Sequence, residues 1–138
     1  MLAAADENAA QPPIIRFDDV RFGWPRAGNF DLQIRNFEVA CGETTLLIGP
    51  SGSGKSTFLS LLCGIVTPQQ GRITVLGQNT AEFSASARDR FRSEHFGIIF
   101  QMFNLLPYAS VIDNVTLPIH FAPERKRRAT QSGSVEEE

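Results

Sequence analysis

The sequence predicts an α/β fold, and three observations carry that prediction. Apolar and polar residues alternate along 30–39, which is the two-residue period of a strand with one buried face. Residues 44–48 form a short apolar and β-branched run, typical of a strand buried on both faces of a mainly parallel sheet. A glycine-rich loop at 49–54 then leads into a helical pattern at 55–63. A buried strand followed by a loop and a helix is the unit from which α/β proteins are built.

The remaining elements follow from the same periodicities. Three further segments are rich in β-branched and aromatic residues and predict strands, namely 14–22, 72–77 and 96–100. Two segments predict helices, namely 81–94 and a short one near 112–117. Gly64 directly follows the helix predicted at 55–63, so we expect it to cap the carboxyl end of that helix.

The composition is that of a single globular domain. The chain has 138 residues, of which 42% are hydrophobic and 20% charged. Residues 1–12 are expected to form a disordered leader and 13–121 the packed domain. Residues 122–138 pass from a basic run to an acidic end, so we expect a flexible tail without packed structure.

Composition also excludes several classes of function. The formal net charge is −2, whereas a dedicated nucleic-acid binder carries a basic excess. Cys41 and Cys63 form no C-x-x-C pattern, which argues against a zinc site or a disulfide framework and favours a reducing, cytosolic compartment. The amino-terminal segment lacks the basic and apolar regions of a signal peptide, and no run of 18 apolar residues predicts a direct membrane span.

One motif carries chemistry. It fits the P-loop pattern G-x-x-x-x-G-K-[ST], and its residues are Gly49, Pro50, Ser51, Gly52, Ser53, Gly54, Lys55 and Ser56. Glycines let backbone N–H groups approach phosphate oxygens, and the next helix adds its own unpaired N–H groups. We expect Lys55 to neutralise the β- and γ-phosphates, Ser56 to ligate Mg²⁺ and Thr57 to contact the α-phosphate. The pattern predicts a purine nucleoside triphosphate and leaves kinases, GTPases, recombinases and transport ATPases open.

Further motifs follow in an order that resembles the ATPases of ATP-binding cassette (ABC) transporters. The resemblance covers about residues 14–121, and its motifs are Gly42-Glu43, the P-loop with Thr57-Phe58-Leu59, Leu62-Cys63-Gly64, Pro68-Gln69-Gln70-Gly71 and Gly97-Ile98-Ile99-Phe100-Gln101. It implies a partial P-loop NTPase core with an antiparallel β-subdomain, truncated before the helical subdomain. The segment 100–107, with Asp113-Asn114-Val115 and Leu117-Pro118, is most similar to the branch that serves lipoprotein release and macrolide efflux.

The resemblance also implies roles for two residues outside the P-loop. Trp24 matches the aromatic residue that stacks on adenine, with Phe22 as the competing choice. Gln101 matches the glutamine that reaches Mg²⁺ and the attacking water, in a loop that touches the membrane subunit. Lys55 and Gln101 are therefore the candidate catalytic residues. His95 and His120 do not lie in the family's catalytic-histidine context.

The function implied is that of an ATP-binding subunit, with ATP and Mg²⁺ as cofactors. Such subunits pair as a homodimer and drive a membrane permease from the cytoplasmic face of the membrane. The family's Leu-Ser-Gly-Gly-Gln signature, its apolar strand ending in Asp-Glu and its catalytic histidine do not follow Phe121. The chain as given is therefore expected to be inactive, and the alternative function is that of a nucleotide-binding fragment. A small P-loop kinase is a third hypothesis, for which Arg88, Arg90 and Arg92 would have to supply the acceptor-binding arginines.

Overall fold

The structure is a computed structural model, and it describes residues 12–25, 30–99 and 105–131. The chain divides into two compact units, Met1–Phe83 and Ser84–Glu138. Over the described residues, the first unit contains a four-stranded sheet and one α-helix, and the second contains three α-helices. None of these described helices combines the length and the hydropathy that crossing a bilayer requires.

The sheet of the first unit is antiparallel throughout. Its strands are β1 (Ile15–Phe22), β2 (Leu32–Val39), β3 (Gln70–Val75) and β4 (Gln78–Asn79), in the order β2-β1-β3-β4. Leu76 and Gly77 join β3 to β4 with φ values of 49° and 76°, the conformation of a two-residue hairpin turn that matches strand twist. The strands predicted at 14–22, 30–39 and 72–77 are confirmed, and so is the antiparallel β-subdomain.

A bulge lets β1 bury its apolar residues on one face. Phe17 and Val20 are both buried, although an odd spacing places residues of a regular strand on opposite faces. The register with β3 shifts after Asp18, and Asp19 has a φ of 45°, so one extra residue turns the strand over. Gly71 of β3 lies against the bulge with a φ of +84°, and a Cβ at this position would meet the Asp19 carbonyl oxygen.

Three aromatic rings fix helix α1 (Lys55–Leu62) to the sheet. Phe58 of α1 stacks on Phe17 of β1, with ring centroids 5.0 Å apart, and meets Phe37 of β2 edge-on at 5.1 Å. Phe17 and Leu61 are 0% and 1% exposed. Each fully buried side chain of this kind contributes about 1.5–3 kcal/mol. The start of α1 is therefore held at a fixed place beside β1 and β2.

The carboxyl end of α1 is closed as the sequence predicts. Gly64 has a φ of +66°, and its N–H donates to the Leu61 carbonyl at 3.0 Å. The N–H of Ile65 donates to the Ser60 carbonyl at 2.8 Å. This pair of hydrogen bonds is the Schellman motif, in which glycine takes the left-handed position at C′. The helix predicted at 55–63 and its glycine cap are both confirmed.

The strands predicted at 44–48 and 96–100 are not formed over their described residues. Residues 44–48 and 96–99 lie outside any strand, and Leu46 and Ile48 are 82% and 79% exposed. Phe100 lies outside the described residues. A parallel strand needs hydrogen-bonding partners from distant parts of a chain. No described segment pairs with either run, so their apolar sequence predicted a burial that the described part of the chain does not supply.

Three helices make up the second unit, namely α2 (Ala85–His95), α3 (Val111–His120) and α4 (Pro123–Gln131). The helix predicted at 81–94 starts later than expected because the Ser84 hydroxyl accepts a hydrogen bond from the N–H of Ala87 at 3.3 Å and so caps α2. Thr80–Glu82, at the end of the first unit, forms one turn of 3-10 helix. Helix α3 confirms the short helix predicted near 112–117.

Helix α4 occupies a segment for which the sequence predicts no packed structure, and one carboxylate accounts for the difference. Glu94 is 8% exposed and accepts hydrogen bonds from the backbone N–H groups of Glu124 and Arg125, each at 3.0 Å. Arg128 adds an ion pair to the same carboxylate at 3.8 Å. The first N–H groups of a helix lack acceptors within the helix, so Glu94 caps α4. The composition of the α4 segment gives no sign of this cap, because Glu94 lies about 30 residues earlier in the chain.

A reciprocal cap begins α3. The Ser110 hydroxyl accepts from the N–H of Asp113 at 3.1 Å, and the Asp113 carboxylate accepts from the N–H of Ser110 at 3.0 Å. Asn114 fixes the preceding turn, because its amide oxygen accepts from the N–H of Leu106 at 2.7 Å and its amide nitrogen donates to the Leu106 carbonyl at 3.2 Å. The entry into α3 is therefore set by side chains of its own first turn.

This cap predicts a pH dependence of α3. Hydrogen bonds from the Ser110 hydroxyl and then from its backbone N–H lower the pKa of Asp113 below the ordinary value of 3.8. Because the folded-state pKa is depressed, the stabilisation is present above the unfolded pKa and is lost as the pH falls through the folded value. We expect the Ser110 amide resonance to titrate with a midpoint below 3.8. The Asp113→Asn variant should abolish this titration, and a midpoint at or above the ordinary value would contradict the prediction.

Candidate functional site

The P-loop connects residues 44–48 to α1 and is open to solvent. Residues 49–53 are exposed, and Gly52 and Gly54 have φ values of +80° and +94°. These values favour glycine because other L-residues are strained there. A Cβ at Gly54 would also approach the Phe30 ring and the Leu32 side chain, each at 3.3 Å. The backbone conformation of this loop therefore favours glycine at these two positions.

The ammonium group of Lys55 lies at the loop. Its Nζ donates to the carbonyl oxygens of Gly49 and Pro50, each at 2.8 Å. A lysine ammonium has three hydrogens, so these two bonds leave a third donor available. The side chain thus folds back from the first residue of α1 over the beginning of the loop. The two loop carbonyls hold the positive charge of the ammonium group beside the loop.

The start of α1 offers further donors. Its N-cap is Gly54, which has no side chain to cap the helix, and its first turn contains no acidic residue. The N–H groups of a first turn have no acceptor within the helix, and they carry the positive end of the helix dipole. Ser56 is exposed at this turn, whereas Thr57 is buried. An anion is the ligand that best satisfies this arrangement.

Of the two aromatic candidates for base stacking, only Trp24 has an exposed ring. Trp24 is 41% exposed, whereas Phe22 is 6% exposed and belongs to the core. The Phe22 ring supports the Trp24 ring edge-on, with centroids 5.0 Å apart. The indole Nε1 of Trp24 donates to the Thr57 hydroxyl at 3.2 Å, which brings the ring to the first turn of α1. The structure thus brings Trp24, Lys55, Ser56 and Thr57 together.

One predicted site residue lies outside the described residues, and one residue near the site was not predicted. Gln101, the candidate catalytic glutamine, lies outside the described residues. In the sequence Gln69 belongs only to a turn motif, yet its side-chain amide binds the backbone beside Trp24. Its Oε1 accepts from the N–H of Gly23 at 3.0 Å, and its Nε2 donates to the Gly23 carbonyl at 3.1 Å. No local signal distinguishes Gln69 from the adjacent Gln70, because the pairing spans two distant segments.

Comparison with known proteins identifies the family. The family model described as ABC transporter matches residues 32–136, which is more than half of the chain. The chain belongs to the ABC transporter family. The matched residues include the P-loop and α1.

Curated members of the ABC transporter family share over a third of the aligned residues. The uncharacterized ABC transporter ATP-binding protein Rv0986 of Mycobacterium tuberculosis is 37% identical over 120 residues, which cover 85% of this chain and 48% of that protein. The macrolide export ATP-binding/permease protein MacB of Shigella flexneri is also 37% identical over 120 residues, covering 84% of this chain and 18% of MacB. The chain spans less than half the length of these two relatives.

A solved structure supports the fold of an ABC cassette. The dimeric, post-hydrolysis structure of the ATP-binding cassette MJ0796 bound to ADP and Pi matches with a TM-score of 0.69 and 28% identity. The match covers 85% of this chain and 54% of that one. The chain therefore has part of the ABC ATPase fold, and the antiparallel sheet and the P-loop helix belong to that part.

Proposed function

We propose that this chain provides the ATP-binding site of an ABC transporter ATPase and that it binds ATP together with Mg²⁺. The observation that carries the proposal is the position of the Lys55 ammonium, which the loop carbonyls of Gly49 and Pro50 hold 2.8 Å away. A cation at the mouth of a glycine loop, next to a helix start without a side-chain cap, suits a polyphosphate. Membership of the ABC transporter family selects ATP among the nucleotides.

The phosphate end of the nucleotide would be held by residues of the loop and of α1. Lys55 exchanges its carbonyl acceptors for oxygens of the β- and γ-phosphates, while backbone N–H groups of residues 51–57 donate to the same chain of phosphates. The exposed hydroxyl of Ser56 provides an oxygen ligand of the kind that Mg²⁺ prefers. Bound Mg²⁺ neutralises phosphate charge. Gln101 remains a proposed second contact to the metal.

The base would lie against Trp24. The indole ring is supported from behind by Phe22 and tied to α1 through Thr57, so its position relative to the P-loop is fixed on two sides. A flat ring provides stacking and broad apolar contact to a purine. The distance between the base site and the phosphate site is thus set within one unit of the chain.

The proposal extends to a homodimer that drives a membrane permease. The name of MacB joins an ATP-binding and a permease function in one protein, and MJ0796 forms a dimer with ADP and Pi. We infer by similarity that the whole protein hydrolyses ATP at the cytoplasmic face of a membrane, beside a permease of the export type. ATP binding and hydrolysis would then supply the energy for transport.

Substitution of Lys55 tests ATP binding directly. The chain has a second lysine, Lys126, which is exposed on α4 and provides a matched control. We expect Lys55→Ala to weaken Mg·ATP binding about ten- to fiftyfold, because a charge-assisted hydrogen bond to phosphate is lost. Isothermal titration calorimetry of the 138-residue chain measures the change. Equal affinities of Lys55→Ala and wild type would overturn the proposal, and Lys126→Ala should match wild type.

A second candidate function is a nucleotide-binding segment without turnover. The exposure of Leu46 and Ile48 favours it, because the run that precedes the P-loop is not buried by any described strand. A phosphate-release assay on the purified chain separates the two functions. Turnover that Lys55→Ala abolishes supports the ATPase, whereas ATP binding without turnover supports the second candidate.

A further inference from the structure

We propose that Gln69 is a positioning residue for the base site, because its amide side chain holds the backbone that carries Trp24. This inference rests on the proposed ATP-binding function and adds a residue to it. Gln69 contacts neither the P-loop nor α1 by any hydrogen bond among the described residues. Its action on the nucleotide is therefore exerted through Gly23 and Trp24.

The geometry of the contact is that of a backbone pairing. Gln69 Oε1 and Nε2 engage both the N–H and the carbonyl of Gly23, at 3.0 and 3.1 Å. The backbone N–H of Gln69 donates to the Arg21 carbonyl at 2.9 Å. One residue thus continues the pairing of β3 with β1 past the end of β1, where the strand has no further backbone partner among the described residues. Both polar groups of Gly23 are satisfied by a single side chain.

The backbone of Gly23 is also confined on the side away from Gln69. A Cβ at Gly23 would lie 3.0 Å from the Phe30 carbonyl oxygen and 3.8 Å from Gln69 Oε1, so the Gly23 backbone is enclosed between the two segments. Trp24 follows immediately, and its ring touches Phe22 and Thr57. Loss of the amide would release the backbone at Gly23, and the contacts of the Trp24 ring with Phe22 and Thr57 would remain.

Affinity for two ligands tests this role. Mg·ATP engages base and phosphate sites, whereas inorganic tripolyphosphate with Mg²⁺ engages only the phosphate site. We expect Gln69→Ala to weaken Mg·ATP binding about three- to tenfold, the size of a lost stacking contact, and to leave tripolyphosphate affinity unchanged. Gln69→Met keeps the length of the side chain without its hydrogen bonds and should behave like Gln69→Ala. Gln69 is exposed, so neither variant opens the core.

Gln70 provides the matched control, since it has the same side chain, is also exposed and makes no side-chain hydrogen bond among the described residues. Gln70→Ala should leave both affinities as in wild type. A second measurement needs no nucleotide. The chain has one tryptophan, so acrylamide quenching of intrinsic fluorescence reports Trp24 alone, and Gln69→Ala should increase it.

The outcomes separate this inference from the proposed function. An unchanged ratio of ATP to tripolyphosphate affinity in Gln69→Ala, with wild-type ATP binding intact, overturns the positioning role alone. An equal loss of both affinities also overturns it, because a general structural defect would then explain the effect. A wild-type chain that binds neither ligand overturns the proposed function, and the role of Gln69 falls with it.

Discussion

Replacing Phe17 with alanine is expected to destabilise the first unit by about 3–5 kcal/mol, the range for removing a fully buried phenylalanine from a packed core. Phe17 is 0% exposed, and its ring contacts those of Phe58 and Phe37 at centroid distances of 5.0 and 5.9 Å. The substitution leaves a cavity between β1 and α1 and removes the surface on which the P-loop helix rests. Small domains have net stabilities of about 5–15 kcal/mol, so the substitution removes a large fraction of the free energy of unfolding.

Urea unfolding followed by Trp24 fluorescence measures this loss, because Trp24 belongs to the first unit. Phe37→Ala is the matched control, since it removes a partly exposed ring of the same cluster and should cost less. Mg·ATP binding of the surviving folded Phe17→Ala protein should also weaken. An unfolding midpoint within error of wild type would show that the aromatic cluster does not hold α1 in place.

The parts of the fold that the sequence predicts correctly are those whose signal lies within the segment itself. Strands β1, β2 and β3 pair antiparallel, and the alternation in 30–39 is enough to find β2. The helix α1 carries its own stop signal at Gly64. The run at 44–48 has an equally strong strand composition, but its burial depends on parallel partners that no described segment provides. Composition alone does not distinguish these two cases.

The site divides in the same way. The P-loop pattern places Lys55 and Ser56 because loop, strand run and helix are contiguous in sequence. The choice between Trp24 and Phe22 requires knowing which of the two rings is buried. That depends on the bulge at Asp19, which turns β1 over. The role of Gln69 becomes visible only from the pairing of β1 with β3, which joins residues far apart in the chain. Neither fact has a local signature in the amino-acid sequence.

Two glycines of the sheet give a matched pair for the second large effect. Gly71 and Gly77 have similar φ values, +84° and +76°, so alanine at either position incurs the strain of a left-handed conformation, about 1–2 kcal/mol. Only at Gly71 does the new Cβ meet backbone oxygens, those of Asp19 and Asp18, whereas at Gly77 nothing lies within 4 Å. A backbone group cannot move aside as a flexible side chain can, so the bulge of β1 must shift. That overpacking adds about 1–3 kcal/mol.

We therefore expect Gly71→Ala to lower the free energy of unfolding of the first unit by about 3 kcal/mol or more, and Gly77→Ala by about half as much. Urea midpoints from Trp24 fluorescence give both values under one set of conditions. The bulge sets which side chains of β1 face inward, and Gly71 follows Gln69 by two residues, so the Gly71 variant should also expose Trp24 to acrylamide. Equal midpoints for the two variants would show that conformational strain alone accounts for the glycine at position 71 and that the bulge tolerates a side chain against it.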